Sequence, residues 1–144
     1  MTRTLFTLIA TIALFCLTSC NKDDDNYKIT WVSETGTYNN STPPNIVINT
    51  KEELNNYLQE YQIDKGYSIY KELDGNFSDY SIIAFSDCTN LKVQRIEYTE
   101  DNKSITVFCH TTQDITMPRP LCFFIKIKPK APSYYKVNIV VDNT

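Results

Sequence analysis

The chain has 144 residues with 14 basic and 17 acidic side chains, a formal net charge of −3. This acidic balance argues against a nucleic-acid partner, because nucleic-acid-binding domains carry a basic footprint. The length suits one domain. Its 10 Tyr and 7 Phe against only 3 Gly favour β-structure built on aromatic pairs over a glycine-lined phosphate site.

Residues 1–19 contain the parts of an export signal. Arg3 supplies a positive charge, and the uncharged, mostly apolar run at 5–15 has the length of a signal-peptide core but is too short to span a bilayer. The motif LTSC at 17–20 resembles the bacterial lipobox, in which an aliphatic residue and two small residues precede a lipid-bearing Cys. This resemblance implies that residues 1–19 are a lipoprotein signal peptide and that Cys20 is lipidated. Two or more acyl chains hold a protein stably on a membrane.

Residues 21–26 have the sequence NKDDDN and contain no apolar side chain, which predicts a solvated tether between membrane and domain. The KDDD segment is also similar to the surface-export signal of lipoproteins from the Bacteroidota. That similarity implies an outer-membrane lipoprotein that faces the cell exterior and contacts the membrane through Cys20. The expected organisation is therefore a signal peptide at 1–19, the lipidated Cys and acidic tether at 20–26, and a single domain at 27–144.

Two short strands and a helix are predicted in the first half of the domain. Strands are expected at 27–33 and 45–49, separated by a loop rich in Gly, Asn, Thr and Pro. Thr50 and Glu53 then fit a capping box, in which each side chain accepts a hydrogen bond from the other residue's backbone N–H. Apolar side chains at 54, 57, 58 and 61 share one face, which predicts an amphipathic helix over 51–62 packed on a sheet.

Five further strands are predicted in the second half, at 80–86, 91–99, 105–110, 121–128 and 134–141. The parity of the apolar residues changes within 91–99, which indicates a β-bulge. At 121–128 the alternation places the odd-numbered side chains in the core and directs Phe124, Lys126 and Lys128 outward. The whole pattern predicts an α+β fold: an antiparallel β-sheet of about five to seven strands with one packed amphipathic helix.

Five cysteines are present, of which Cys16 would leave with the signal and Cys20 would take the lipid. The remaining Cys88, Cys109 and Cys122 would lie outside the cytosol, where disulfides persist. Strand parity directs Cys109 inward and Cys122 outward, so the favoured disulfide joins Cys88 to Cys122 and leaves Cys109 as a buried free thiol. Because no close cysteine spacing accompanies the single histidine, neither a metal nor another cofactor is predicted.

Four features follow one another along the chain: the capped helix from Thr50, the GNFS turn at 75–78 before the apolar strand at 81–85, a hairpin at 101–102, and FFIKIKP at 123–129. This order resembles the PrcB-like C-terminal domain, a family named for an accessory lipoprotein of a surface protease complex, over about residues 45–141. The family often has a glycine-rich turn after the apolar strand, whereas this chain has SDCTN at 86–90. The resemblance implies a non-catalytic protein that binds a partner.

The leading hypothesis is therefore a non-catalytic accessory or partner-binding lipoprotein of the outer-membrane surface, which stabilises a surface protease or another complex. Contacts with an unknown extracellular or outer-membrane protein are expected at Met117 and Arg119, in the loop 111–120, and at Lys126 and Lys128. The other interpretations of these residues are a proline-stiffened crossover and lysines that protect a sheet edge from pairing.

Two alternative functions follow from other residues. A glycan-binding accessory lipoprotein would use exposed tyrosines such as Tyr38 or Tyr134. A small hydrolase would depend on His110, the single histidine. Cys109 could not be the partner of His110 in such an enzyme, because neighbouring side chains of a strand point to opposite faces.

Overall fold

The computed structural model describes residues 27–35, 38–39, 41–63, 75–112 and 120–142. These residues form two β-sheets and one helix. The strands are β1 (Lys28–Thr35), β2 (Ile46–Ile48), β3 (Ser81–Asp87), β4 (Leu91–Thr99), β5 (Ser104–Thr111), β6 (Leu121–Lys128) and β7 (Lys136–Asp142), and the helix is α1 (Lys51–Glu60). The predicted α+β fold with one packed helix is confirmed.

The strands divide between two sheets rather than forming one. The first sheet has the order β1-β6-β3-β2 and is antiparallel throughout. The second has the order β4-β5-β7, in which β4 runs antiparallel and β7 parallel to β5. β7 is parallel because it begins at the same end of the domain as β5, after a short link from β6. The sheets face each other, and at their edges β1 lies beside β4 and β2 beside β7.

The helix begins where the sequence predicts. The Thr50 hydroxyl accepts a hydrogen bond from the Glu53 N–H (3.1 Å), and the Glu53 carboxylate accepts one from the Thr50 N–H (3.2 Å). This capping box satisfies N–H groups that have no partner within the helix. The helix ends at Glu60, two residues before its predicted end, and Gln62 has a positive φ of 49°. The helix packs on the first sheet through buried Leu54 and its neighbours.

β6 is the strand that joins two hydrophobic cores. Its odd-numbered side chains lie between the two sheets, in a sheet–sheet core shared with Ile83, Ile105 and Val107. Its alternate side chains, Cys122 and Phe124, lie under α1 in a helix–sheet core. The predicted alternation is confirmed. Phe124 does not face solvent as predicted, however, because the helix covers that side of the strand.

β4 and β5 form the predicted hairpin. The turn is closed by a hydrogen bond from the Lys103 N–H to the Glu100 carbonyl (3.1 Å), and Lys103 has a positive φ of 46°. The pairing register of the two strands shifts between Val93 and Arg95. The β-bulge predicted from the change of parity within 91–99 is therefore confirmed, and Gln94 is its extra residue.

A buried hydroxyl ties three segments together at the start of β3. Ser81 is fully buried, its hydroxyl lies 2.5 Å from the Asn49 side-chain oxygen, and it accepts a hydrogen bond from the Ala131 N–H (2.8 Å). The Asn49 amide group also donates to the Ala131 carbonyl (2.7 Å). These bonds fix the link between β6 and β7 against the end of β2, and so determine where the residues that follow Ala131 lie.

The strand directions define two ends of the domain. The tyrosine end contains Tyr27, at the start of β1, with Tyr98, Tyr134 and Tyr135. The loop end contains the 88–90 turn, Thr112 and Pro120, which adjoin the last residue of β3, the last residue of β5 and the first residue of β6. Since β1 has 8 residues and a strand rises about 3.3 Å per residue, the two ends are on the order of 25 Å apart.

Candidate functional site

Three of the predicted site residues, Cys20, Met117 and Arg119, lie outside the described residues. The loop that carries Met117 and Arg119 is bounded by Thr112 and Pro120, so both of its boundaries are at the loop end. The lipid at Cys20 and the partner contacts of Met117 and Arg119 stay predictions.

The cysteines do not form the predicted disulfide. Cys88, Cys109 and Cys122 are all free, with Cys88 exposed in the turn after β3 and Cys122 fully buried beneath α1. The predicted pairing of Cys88 with Cys122 requires Cys122 to face outward, but α1 covers that face of β6. Burial raises the pKa of Cys122 to about 12 and that of Cys109 to about 11. Both buried thiols therefore stay protonated and unreactive near neutral pH.

Two predicted partner-contacting lysines bind within the chain, next to the start of β3. The ammonium group of Lys126 lies 4.1 Å from the centre of the Tyr80 ring, a cation–π contact. Lys128 makes a 2.6 Å ion pair with the Asp79 carboxylate. Hydrogen bonding to Lys128 lowers the pKa of Asp79 below its ordinary value.

Lys130 extends the same row, because its ammonium group donates to the Phe77 carbonyl (2.9 Å). The row of lysines at 126, 128 and 130 thus holds the segment 77–80 against the first sheet, a role that neither sequence interpretation included. The side chain of Lys128 remains 46% exposed. The predicted partner contacts of Lys126 and Lys128 stay predictions.

The outer face of the second sheet carries an aromatic, cationic and aliphatic row that the sequence did not single out. Arg95, Phe108 and Val140 are direct neighbours across β4, β5 and β7. The guanidinium carbon of Arg95 lies 3.7 Å from the centre of the Phe108 ring, so that the planar group covers the ring. Arg95 also pairs with Glu97 at 2.9 Å. Val140 is 44% exposed, and no element of the described part of the chain packs over this row.

The β4 bulge creates this row. Gln94 is the residue that the register skips, which brings Arg95 opposite Phe108. A shallow cleft of ≈ 390 Å³ lies here, lined on the outer side by Gln94, Arg95, Phe108, Val140 and Asp142. Polar cross-strand rows flank it on either side, Lys92–His110–Asp142 and Glu97–Thr106–Asn138. The alternation of side chains along β5 predicts that Phe108 points away from the core. This alternation is the sequence signal that identifies Phe108 as an outer-face residue.

The tyrosine end holds a ladder of four aromatic rings. Tyr27 meets Tyr98 edge to face, with ring centres 5.6 Å apart. Tyr98 stacks on Tyr135 at 5.2 Å, and their hydroxyls are hydrogen-bonded at 2.8 Å. This bond raises the pKa of Tyr98 well above its ordinary value. Tyr134 meets Tyr135 edge to face at 5.1 Å and is 67% exposed, with the Lys103 ammonium 5.6 Å from its ring centre.

The two tyrosines predicted for glycan binding occupy different environments. Tyr38 is half-buried against the helix–sheet core. Tyr134 instead borders an open cleft of ≈ 480 Å³ that is also lined by Asn49, Lys130, Pro132 and Ser133. Only Tyr134 therefore presents most of its ring to a ligand.

His110 and Cys109 lie on opposite faces of β5, as predicted. The Cys109 side chain is buried in the sheet–sheet core, whereas His110 lies in the outer row between Lys92 and Asp142. The two side chains therefore cannot act as a nucleophile and base pair.

Among the residues that the structure describes, no three or more His, Cys, Asp or Glu side chains are grouped to hold a metal ion. Within the same ranges, no helix combines the length and the apolar character needed to cross a membrane. Comparison of the chain with protein-family models, with curated proteins and with solved structures finds no match. The resemblance to the PrcB-like domain stays a prediction.

Proposed function

We propose that this protein is a lipid-anchored protein of the outer-membrane surface that binds a protein partner as a non-catalytic accessory component. The LTSC and KDDD motifs support the anchor and its outward orientation. The partner-binding role is carried by one observation, the Arg95–Phe108–Val140 row on the outer face of the second sheet, which none of the described helices and strands covers.

The chemistry of this row suits a protein interface. Aromatic and Arg side chains are enriched in protein interfaces and contribute most of the binding energy at their centres. Arg95 is already held by the Phe108 ring and by Glu97, so binding would immobilise it at a low cost in side-chain entropy. Val140 adds apolar surface that association would bury.

The surroundings of the row indicate what kind of partner fits. The flanking rows contain both signs of charge, from Lys92 and Glu97 to Asp142, and the sheet face is open. A flat protein surface with an apolar centre and a mixed polar rim matches this arrangement. A surface protease complex, the partner class implied by the PrcB-like resemblance, is the first such partner to test.

The experiment is affinity purification of the full-length lipoprotein from native membranes after mild detergent extraction. Val140→Lys puts a charge at the β7 end of the row, and Val32→Lys is the matched control, since Val32 is 39% exposed on β1 of the first sheet. We expect a specific protein that co-purifies with the wild type and with Val32→Lys but is lost with Val140→Lys. A Cys20→Ser form, which lacks the acylated residue, reports what binds after mislocalisation.

The proposal fails if the proteins recovered with Val140→Lys match those recovered with Val32→Lys. Purified Val140→Lys protein must first show the same unfolding midpoint as Val32→Lys, so that loss of the partner is not loss of the fold. Phe108→Ala supplies a second change in the same row and is expected to weaken capture of the same protein.

A further inference from the structure

The tyrosine end is the part of the domain that a lipid at Cys20 would keep near the membrane. Tyr27 follows Cys20 by seven residues. A fully extended chain spans at most about 3.3–3.6 Å per residue, so Tyr27 lies within about 25 Å of an acylated Cys20. The loop end lies on the order of 25 Å from the tyrosine end along β1, so the tether limits the reach of the tyrosine end most directly. This step rests on the proposed lipid anchor.

The tyrosine ladder connects Tyr27 to the most exposed ring of that end. Each of its three ring contacts has centres no more than 5.6 Å apart, and the hydrogen bond between Tyr98 and Tyr135 holds the middle pair. Tyr135 in turn precedes β7, and the Pro132 carbonyl accepts a hydrogen bond from the Tyr135 N–H (3.2 Å). Tyr134 is therefore held at the anchor side of the domain with 67% of its surface exposed.

An exposed tyrosine suits the interface between lipid and water. Its ring is apolar and its hydroxyl is polar, and tyrosines are enriched at the headgroup level of membranes for this reason. Lys103 lies beside the Tyr134 ring and can direct its ammonium group toward headgroups. Lys28, Lys130 and Lys136 add positive charge near this end, whereas Lys128 is paired to Asp79 and Glu100 lies in the adjacent turn. We expect insertion of the ring to be the main interaction, and attraction of these lysines to anionic lipid is the alternative that the test separates from it.

Because the tether is short, a weak contact between Tyr134 and lipid is sufficient to orient the domain. Once Cys20 is in the bilayer, contact between Tyr134 and lipid is an intramolecular event, and short flexible linkers give effective concentrations in the mM range. A single ring that would not hold a soluble protein on a membrane can therefore set the orientation of an anchored one.

We propose that the tyrosine end rests on the lipid headgroup surface around the anchor, with the Tyr134 ring inserted among the headgroups beside Lys103. This orientation directs the loop end, with the boundaries of the 113–119 segment, away from the membrane. The outer face of the second sheet then stands roughly upright on the membrane, and Val140, near the far end of β7, is held clear of the lipid and open to a partner.

The test places a tryptophan reporter at position 134 or at position 140 of the acylated full-length protein. The single natural tryptophan is replaced by Trp31→Phe, and the reporters are Tyr134→Trp and, as the control, Val140→Trp. Each protein is reconstituted into phosphatidylcholine vesicles with or without bromine-labelled acyl chains. We expect a blue-shifted emission and at least about twofold stronger bromine quenching for Tyr134→Trp than for Val140→Trp. Added phosphatidylglycerol should change this ratio little.

Several outcomes would overturn the orientation. Equal quenching at the two positions contradicts it, and quenching that requires phosphatidylglycerol indicates adsorption through lysines instead of ring insertion. An emission shift of Tyr134→Trp caused by soluble polysaccharide in detergent, without vesicles, would assign the ring to glycan recognition. Mass spectrometry of Cys20 separates these failures from failure of the anchor: without acyl mass the proposed function itself is wrong, whereas an acylated protein with a solvated Tyr134→Trp overturns only the orientation.

A second measurement uses only the unsubstituted protein and so does not depend on the folding of a variant. Hydroxyl-radical footprinting compares the acylated protein in phosphatidylcholine vesicles with the same acylated protein in detergent. Oxidation of Tyr134 should fall on the vesicles while oxidation of Val140 stays the same. Unchanged oxidation of Tyr134 on the vesicles would contradict the proposal.

Discussion

The two sheets of this domain have different exposures. In the first sheet, β3 and β6 are covered on both faces, by the second sheet on one side and by α1 on the other. In the second sheet the residues that the structure describes cover only the inner face, and the outer face presents Phe108 and Val140. The sequence reflects this difference, since β6 has buried side chains at six of its 8 positions and β5 alternates. A strand that is apolar on both faces is expected where both faces are covered.

This difference in exposure assigns different roles to the two sheets. The first sheet makes most of the buried contacts of the helix–sheet core and half of the sheet–sheet core, so its side chains determine stability. The outer face of the second sheet contributes little burial, which leaves it available for binding. Substitutions on the two surfaces should therefore separate stability from binding.

Thiol accessibility gives the largest expected difference. Cys122 lies under α1 on the covered face of the first sheet and Cys88 lies in an exposed turn. A maleimide reagent at neutral pH should modify Cys88 in the folded, unreduced protein and should modify Cys109 and Cys122 only after denaturation, because both are buried with raised pKa values. Peptide mass spectrometry measures each site. A Cys88 that reacts only after reduction would restore the disulfide interpretation.

Truncation of one phenylalanine on each surface gives the next largest effect. Phe124 is fully buried and meets Tyr57 edge to face at 6.3 Å, so Phe124→Ala should lower the free energy of unfolding by about 3–5 kcal/mol. Phe108→Ala, on the outer face, should lower it by less than about 1 kcal/mol. Urea unfolding of the Cys20→Ser form of residues 20–144 measures both. Equal losses at the two positions would contradict the division between the sheets.

The smallest expected effect concerns the lysine row on the first sheet. Lys128 lowers the pKa of Asp79. The ionised Asp79 carboxylate therefore stabilises the fold at pH values above 3.8, the ordinary pKa of an aspartate. That stability is lost as the pH falls through the lowered folded-state pKa. Asp79→Asn should remove this part of the acid dependence of the melting temperature, and the change should be small because both side chains are largely exposed. Asp101→Asn, in the exposed β4–β5 turn, is the control, and an equal change there would rule out a specific contribution from the pair.

Local sequence patterns predicted the helix and the strands well, but they predicted poorly which segments pack over each strand. The capping box, the bulge and the alternation of β6 depend on near neighbours in the chain, and all three are confirmed. What lies over a strand depends on distant segments, so the burial of Phe124 and Cys122 under α1 could not be inferred from their parity. The parallel pairing of β7 with β5 likewise depends on which end of the domain the chain has reached.

The candidate binding row could be predicted only in part. Parity placed Phe108 outside the core, but its contact with Arg95 requires the exact register that the bulge creates, and Val140 joins them from a strand far along the chain. The lysines at 126 and 128 were correctly placed off the sheet–sheet core. Their contacts with Tyr80 and Asp79 could not be foreseen, because these residues precede a different strand.

The most direct test of the central claim is site-specific photo-crosslinking in intact cells, with the same crosslinking residue placed at position 140 or at position 32. Both positions are similarly exposed, at 44% and 39%, but they lie on different sheets. The account predicts one discrete crosslinked protein from position 140 that is absent from position 32 and disappears when Phe108→Ala is added. The same crosslinked products from both positions, or a product from position 32 alone, would contradict the assignment of binding to the outer face of the second sheet.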